Sequence, residues 1–265
     1  MSRSLHIEAA GRTDVGRRRS INEDVFALRP DLGLYLVLDG MGGHAAGELA
    51  AAIAAETMQR FYEDGGTVWP MDAKGKASDP QAFLVAAAKL ANARIRERAA
   101  REPEKRRMGA AVAAVHAGST GFCVAHAGHC RVYRLRDGRF ESLTEDHRGL
   151  NAYLWRGVAL DVAERMPDKD ALTRALGLKE TVDVTSRMEG ARPGDVVLLC
   201  SNGLYDVMPA WQLAAILAAR SELAATVAAL IAGAQARGAP DDVTCVLLRW
   251  STRDREAIGP FALAD

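Results

Sequence analysis

The sequence predicts an α+β protein in which helices cover antiparallel sheets, and three observations carry that reading. Short runs rich in Val and Leu are bounded by turn signals, as strands are. Alanine-rich stretches with apolar residues at helical spacing are long enough for helices that bury one face. The two kinds of segment come in blocks, not in strict alternation, which argues against a parallel α/β sheet. The bulk properties agree. The chain has 265 residues, 49% hydrophobic and 26% charged, an ordinary globular composition with material for a large core. Sandwiches of sheets and helices reach this length as one unit, so residues 1–265 are read as a single domain.

Taken in order, residues 33–38 are rich in β-formers and end at Asp39, followed by the glycine-rich turn Gly40-Met41-Gly42-Gly43-His44. Residues 45–61 read as a helix, residues 64–80 as an exposed loop, and residues 81–101 as a second helix beside the first. Residues 110–116, 121–126 and 131–136 look like strands of an antiparallel meander, separated by signals such as Asp137-Gly138. Residues 144–178 lack a steady period, which suits a surface excursion with short helices; residues 145–175 are read as a flap inserted in the domain. Residues 195–200 read as a buried strand, 208–236 as an alanine-rich helix, and 243–250 as a closing strand.

Composition narrows the function classes. Basic and acidic residues balance at 34 each, so no overall field draws the chain to nucleic acid or to an anionic membrane, and any anion recognition is local. Residues 1–11 lack the apolar core of a leader, and no apolar run approaches the roughly 18 residues of a membrane span. The cysteines Cys123, Cys130, Cys200 and Cys245 sit singly in apolar stretches. They read as buried small hydrophobes in a reducing, cytoplasmic setting.

The chemistry is written in carboxylates at predicted strand ends. Glu23 and Asp24 follow Asn22, Asp39 precedes the glycine turn, and Asp241 and Asp242 precede the last strand. Hard divalent cations take oxygen ligands, and carboxylates delivered from several strand ends can hold them. The glycines after Asp39 let the backbone approach closely enough for the Gly40 carbonyl to join. Singly, each acid also reads as a turn former, a helix cap or a surface charge; their order along the chain distinguishes them.

That order resembles the metal-dependent protein phosphatases of the protein phosphatase 2C family, in particular their compact bacterial members. The opening motif corresponds to residues 14–24, with Arg19 ahead of Asn22-Glu23-Asp24. The most specific match is Leu38-Asp39-Gly40-Met41-Gly42-Gly43-His44 with Gly47-Glu48. Leu143-Thr144-Glu145-Asp146-His147, Leu172-Thr173-Arg174-Ala175-Leu176-Gly177, Ser201-Asn202-Gly203 and Asp241-Asp242-Val243-Thr244 follow in family order. The resemblance implies a four-layer αββα sandwich of two antiparallel sheets flanked by helices, with two Mn2+ or Mg2+ ions at one end. It implies that Glu23, Asp39 and the Gly40 carbonyl hold one ion and that Asp39 and Asp241 hold the other. Asp24 and Asp242 would support these ligands from behind, and Arg19 would grip phosphate oxygens with paired hydrogen bonds. The implied reaction needs no nucleophilic side chain, because a water shared by two cations ionises near neutral pH and attacks phosphorus in line. His44 and His147 are candidates for proton transfer. The implied partners are phosphorylated proteins, substrates of a serine/threonine kinase in signalling, met by a monomer.

Three stretches depart from the family pattern, one of them Gly109-Ala110-Ala111 in place of Gly-Thr-Thr, a matter of local packing, and the other two at the implied metal site. Asn202 stands where a metal-binding aspartate is expected, and offers a carbonyl oxygen without charge. His129, in Gly128-His129-Cys130-Arg131, replaces an aspartate associated with a third, loosely held cation. A third site is therefore expected to be absent or altered, with His129 favouring a softer metal such as zinc or manganese. These departures open an alternative, a pseudophosphatase that binds phosphoproteins with weak or no turnover. A purely structural domain would leave the coincidence of Arg19, Glu23, Asp39 and Asp241 unexplained.

Overall fold

The computed structural model describes residues 5–42, 46–65, 79–219 and 221–252. Two five-stranded antiparallel sheets stack face to face. The first contains β1 (Leu5–Asp14), β10 (Val243–Thr252), β9 (Val196–Cys200), β6 (Arg131–Arg136) and β7 (Arg139–Ser142), in that spatial order. The second contains β2 (Asp24–Arg29), β3 (Leu34–Met41), β4 (Gly109–Ala117), β5 (Gly121–Ala127) and β8 (Thr185–Gly190). Helices α1 (Ala46–Glu63) and α2 (Pro80–Arg101) cover the second sheet. The short α5 (Asn202–Tyr205), with α6 (Ala210–Ala218) and α7 (Leu223–Gln235), covers the first. Two further short helices, α3 (Gly149–Trp155) and α4 (Leu160–Ala163), lie in the excursion after β7. The α+β reading and the αββα layering both hold.

The central strands show why their sequences read as unbroken apolar runs. Successive side chains of a strand face opposite ways, and here both faces are buried. On β3, Leu34, Leu36 and Leu38 pack under α1 and α2, whereas Tyr35 and Val37 enter the core between the sheets. On β10, Val243, Cys245 and Leu247 face α7, whereas Val246, Leu248 and Trp250 face the opposite sheet. The four cysteines are buried and unpaired, as expected of small apolar fillers. At the start of α2, Asp79 accepts the Gln81 N–H at 2.9 Å and Pro80 opens the helix, a combination that fixes its first turn.

The structure corrects four expectations about elements. The strand expected to stop at Asp39 continues through it to Met41, so that Asp39 lies within the ladder opposite Asp24. The three-stranded meander does not form. The chain leaves β5 through Gly128, whose φ of +115° suits glycine, and β6 joins the other sheet beside β9. The helix expected over residues 208–236 is two helices, α6 beginning after Pro209 and α7 after Glu222; the Ser221 carbonyl between them accepts Arg249 at 2.8 Å instead of continuing a helix. Residues 1–11, read only as polar, supply β1 from Leu5 onward, its strand state set by pairing with β10. Among the described residues, no helix is long and apolar enough to cross a membrane.

Candidate metal centre and active site

Carboxylates from both sheets meet at one end of the sandwich. Asp24 and Asp39 face each other across the β2–β3 pair. Glu23 immediately precedes β2, and Asp241 and Asp242 immediately precede β10. The chain approaches itself so tightly here that two glycines are required. A Cβ on Gly40 would lie 2.1 Å from the Gly47 carbonyl oxygen, and one on Gly47 would lie 2.5 Å from Glu23 Oε1. These contacts account for Gly40 and Gly47 and bring the start of α1 against the Glu23 carboxylate.

Asp242 organises the centre. Its carboxylate accepts the Glu23 N–H at 2.8 Å and the Gly16 N–H at 3.2 Å, tying the loop before β2 to the start of β10. Its own N–H donates to Asp241 Oδ1 at 2.9 Å. Arg19, carried by the same loop, places its guanidinium 2.7 Å from Asp241 Oδ1 and 3.8 Å from Glu23 Oε2. It remains 44% exposed, so its outer face is open to a ligand. Asp24 is buried more deeply than the half-buried Glu23, Asp39 and Asp241, and accepts the Ser201 hydroxyl at 2.7 Å. Ser201 in turn accepts the Thr244 N–H at 3.0 Å. Sequence reasoning missed Ser201 and Thr244, because their role arises from the register of β9 against β10.

The electrostatics call for a cation. Burial pushes the Asp39 carboxyl well above the usual range, and the charges of Asp24, Asp241 and Asp242 add to the push while Arg19 opposes it. Asp24 is raised to about 7, first by burial and then against the opposing hydrogen bonds of Thr244 and Ser201. Buried carboxylates this close ionise together only beside a strong positive charge. Arg19 supplies one unit, less than the cluster needs. Among the described residues no hydrogen bond reaches the Asp39 carboxylate, which leaves its oxygens available as ligands. The donor set of Glu23, Asp39, the Gly40 carbonyl and Asp241 therefore fits hard divalent cations.

Asn202, the first residue of α5, points its amide nitrogen at Asp241 Oδ2, 3.5 Å away, and at Asp206 Oδ2, 3.3 Å away. Its Oδ1 is buried without a hydrogen-bond partner. His129 follows Gly128 at the crossing between sheets, and its Nε2 stands 3.8 Å from Asp39 Oδ2. Burial, with the charge of Arg148 as the next contribution, lowers its pKa to about 4, so the ring is neutral at pH 7. A buried polar network, also unforeseen from the sequence, supports this crossing. Arg131 clamps Asp146 through Nε at 2.7 Å and Nη2 at 2.9 Å and lies over the Tyr205 ring, and the Tyr205 hydroxyl donates to the His129 carbonyl at 2.8 Å.

The two other histidines fare differently. His147 stacks on His126 with centroids 4.5 Å apart, accepts the Gly128 N–H at its Nδ1, and reaches Thr185 through Nε2. None of these partners belongs to the carboxylate cluster. His44 lies outside the described residues.

Comparison with known proteins agrees with this geometry. The family model described as Protein phosphatase 2C matches residues 16–247. The serine/threonine phosphatase stp of Listeria monocytogenes is 29% identical, over 91% of this chain and 95% of its own. The serine/threonine protein phosphatase PstP of Mycobacterium tuberculosis is 32% identical over 92% of this chain, which spans 45% of that longer protein. The solved catalytic domain of PstP, in complex with two manganese ions, superposes with a TM-score of 0.79 at 30% identity, covering 94% of this chain and 100% of that one. With two sheets, flanking helices and a carboxylate cluster at the expected end, the chain belongs to the protein phosphatase 2C family.

Proposed function

We propose that this protein is a metal-dependent phosphatase acting on phosphoserine and phosphothreonine of proteins. One observation carries the reading: Glu23, Asp39 and Asp241, remote in sequence, converge on one cluster with the Arg19 guanidinium beside it. The residues suited to hold two Mn2+ or Mg2+ ions are Glu23, Asp39, the Gly40 carbonyl and Asp241, with the Asn202 carbonyl as a neutral donor. When bound, such cations supply an acidified water and neutralise phosphoryl charge. The chain's own contribution is positional. Asp242 fixes the Glu23 and Asp241 backbones relative to each other. Arg19, held by Asp241, presents its free donors to the phosphate oxygens, where paired charged hydrogen bonds orient phosphorus for in-line attack.

The relatives' names and the retained cluster support the catalytic reading over a pseudophosphatase. Substitution of His129 and Asn202 for the expected carboxylates supports the absence or alteration of a third cation site. We also read the chain as one domain with a flap over residues 145–175, as a monomer working in the cytoplasm, and as the counterpart of a serine/threonine kinase. The test is hydrolysis of an aryl phosphate and a phosphothreonine peptide by purified protein. Turnover should require added Mn2+ or Mg2+ and vanish in Asp39→Ala; metal-independent turnover, or none with any metal, overturns the proposal.

A further inference from the structure

We propose that the His129 imidazole is itself a ligand of the cation at Asp39, giving this centre a nitrogen donor and a preference for transition-metal dications over Mg2+. The inference rests on the metal-dependent reading above and extends it to a residue outside the carboxylate set. Three observations converge. Among the described residues, the ligand atoms of Asp39, His129 and Cys130 lie within 4.8 Å of one another, the one such group of His, Cys and acidic side chains found there. His129 is largely buried, its side chain 14% exposed, yet neither ring nitrogen has a hydrogen-bond partner among the described residues; Nδ1 is fully enclosed. Enclosing Nδ1 without a partner is costly, and Nε2, the nitrogen that faces Asp39, is left free to bind a cation.

The geometry at Nε2 suits a cation shared with Asp39. The 3.8 Å between His129 Nε2 and Asp39 Oδ2 is too long for a hydrogen bond. Two donors at about 2.1 Å from one ion at a tetrahedral angle are about 3.4 Å apart, so a shift of roughly 0.4 Å seats a shared cation. The backbone that carries the ring is held from outside the cluster. Tyr205 binds the His129 carbonyl at 2.8 Å, and the neighbouring Arg131 is locked to Asp146. Imidazole nitrogen is a borderline donor that suits Zn2+, Co2+ and related ions, whereas Mg2+ takes oxygen almost exclusively. The buried thiol of Cys130, within 4.8 Å of both ligand atoms, makes the surroundings softer still.

The test separates this inference from the phosphatase reading by using binding and spectroscopy in place of turnover. Metal-free protein is loaded with Mn2+, and electron spin-echo modulation is recorded for wild type, His129→Ala and His129→Asp. Wild type should show directly coordinated 14N, and both variants should bind Mn2+ without it. In titrations of the same proteins, the preference for Zn2+ over Mg2+ should fall by about tenfold or more in His129→Asp. Bound Mn2+ lacking 14N coupling in wild type, or keeping it in His129→Ala, or an unchanged Zn2+ to Mg2+ ratio, overturns the inference and leaves the phosphatase reading standing. Failure of every protein to take up any dication overturns both.

Discussion

Asn202→Asp is the sharpest single perturbation of this centre, because the change is one of charge with almost none of shape. In the protein as it stands, the Asn202 amide nitrogen faces Asp241 Oδ2 at 3.5 Å and Asp206 Oδ2 at 3.3 Å. Aspartate turns both favourable contacts into repulsions. Two unit charges about 3.5 Å apart interact by about 1 kcal/mol in water and about 5 kcal/mol at an effective dielectric near 20. The Asp241 side chain is 29% exposed, which places the cost toward the lower end, about 2 kcal/mol. In EDTA the variant should melt roughly 4 to 8 °C below wild type, at about 2–4 °C per kcal/mol for a protein of this size. Because a dication removes the repulsion, the same 2 kcal/mol should reappear as roughly 30-fold tighter Mn2+ binding. Thermal unfolding across a Mn2+ titration reads both quantities in one experiment. If Asn202→Asp changes neither the metal-free melting temperature nor the Mn2+ dissociation constant, the placement of this side chain among the cation ligands is wrong.

Two further predictions probe the arginine and the histidine pair. Arg19→Ala should lower kcat/KM for aryl phosphates roughly 10- to 100-fold, the loss of charged hydrogen bonds worth about 1.5–3 kcal/mol. Arg19→Lys should restore only part, since an ammonium cannot span two oxygens, and equal activity of the two variants refutes the role. Burial, followed by the charges of His126 and Arg174, lowers the His147 pKa to about 3, below its ordinary value near 6.5. The unfolded chain therefore binds this proton first. Stability should be level above about pH 6.5 and fall as pH drops toward 3, by roughly 2 kcal/mol at pH 5 from this residue alone. Urea midpoints at pH 7 and pH 5 measure it, and His147→Asn should flatten the slope; an unchanged slope counts against the assignment.

Legibility of the fold followed burial. β3, β4, β5, β9 and β10 are covered on both faces by helices and the opposite sheet, so their sequences are nearly pure apolar runs. β8, with the sequence Thr-Ser-Arg-Met-Glu-Gly, lies at a sheet edge and is largely exposed, and β7 has four residues, half of them exposed. Such strands carry no pattern of their own and take their state from a neighbour's ladder. The crossing after Gly128 was hidden for a related reason, since a tight connection between adjacent strands and one between stacked sheets use the same turn residues. At the centre, Arg19, Glu23, Asp39 and Asp241 were legible through motif order. Asp242 was legible as a support for the ligands but its partners were not, and Ser201 was an ordinary polar residue until backbone register gave it one. Tyr205 and Arg131 acquire meaning only in three dimensions, where they brace the loop that carries His129.

The two sheets meet at the cluster, and this links core packing to metal selectivity. Glu23, Asp39 and Gly40 belong to the sheet of β2 and β3, whereas Asp241 and Asn202 flank β10 and β9 of the other. Donor spacing across the centre is thus fixed by what separates the sheets. That filling is Tyr35 and Val37 on one side and Leu199, Val246 and Trp250 on the other, with the Phe122 and Trp250 rings 5.1 Å apart. A close-packed interior transmits displacement instead of absorbing it, and metal–ligand distances hold to within about 0.2 Å. Under the proposed metal assignment, change in this inter-sheet core should act on the cations by altering the span between Asp39 and Asp241, even where no ligand is touched. The cost of gathering buried acids that repel one another is borne by the same core, which must hold the sheets together until a dication completes the site.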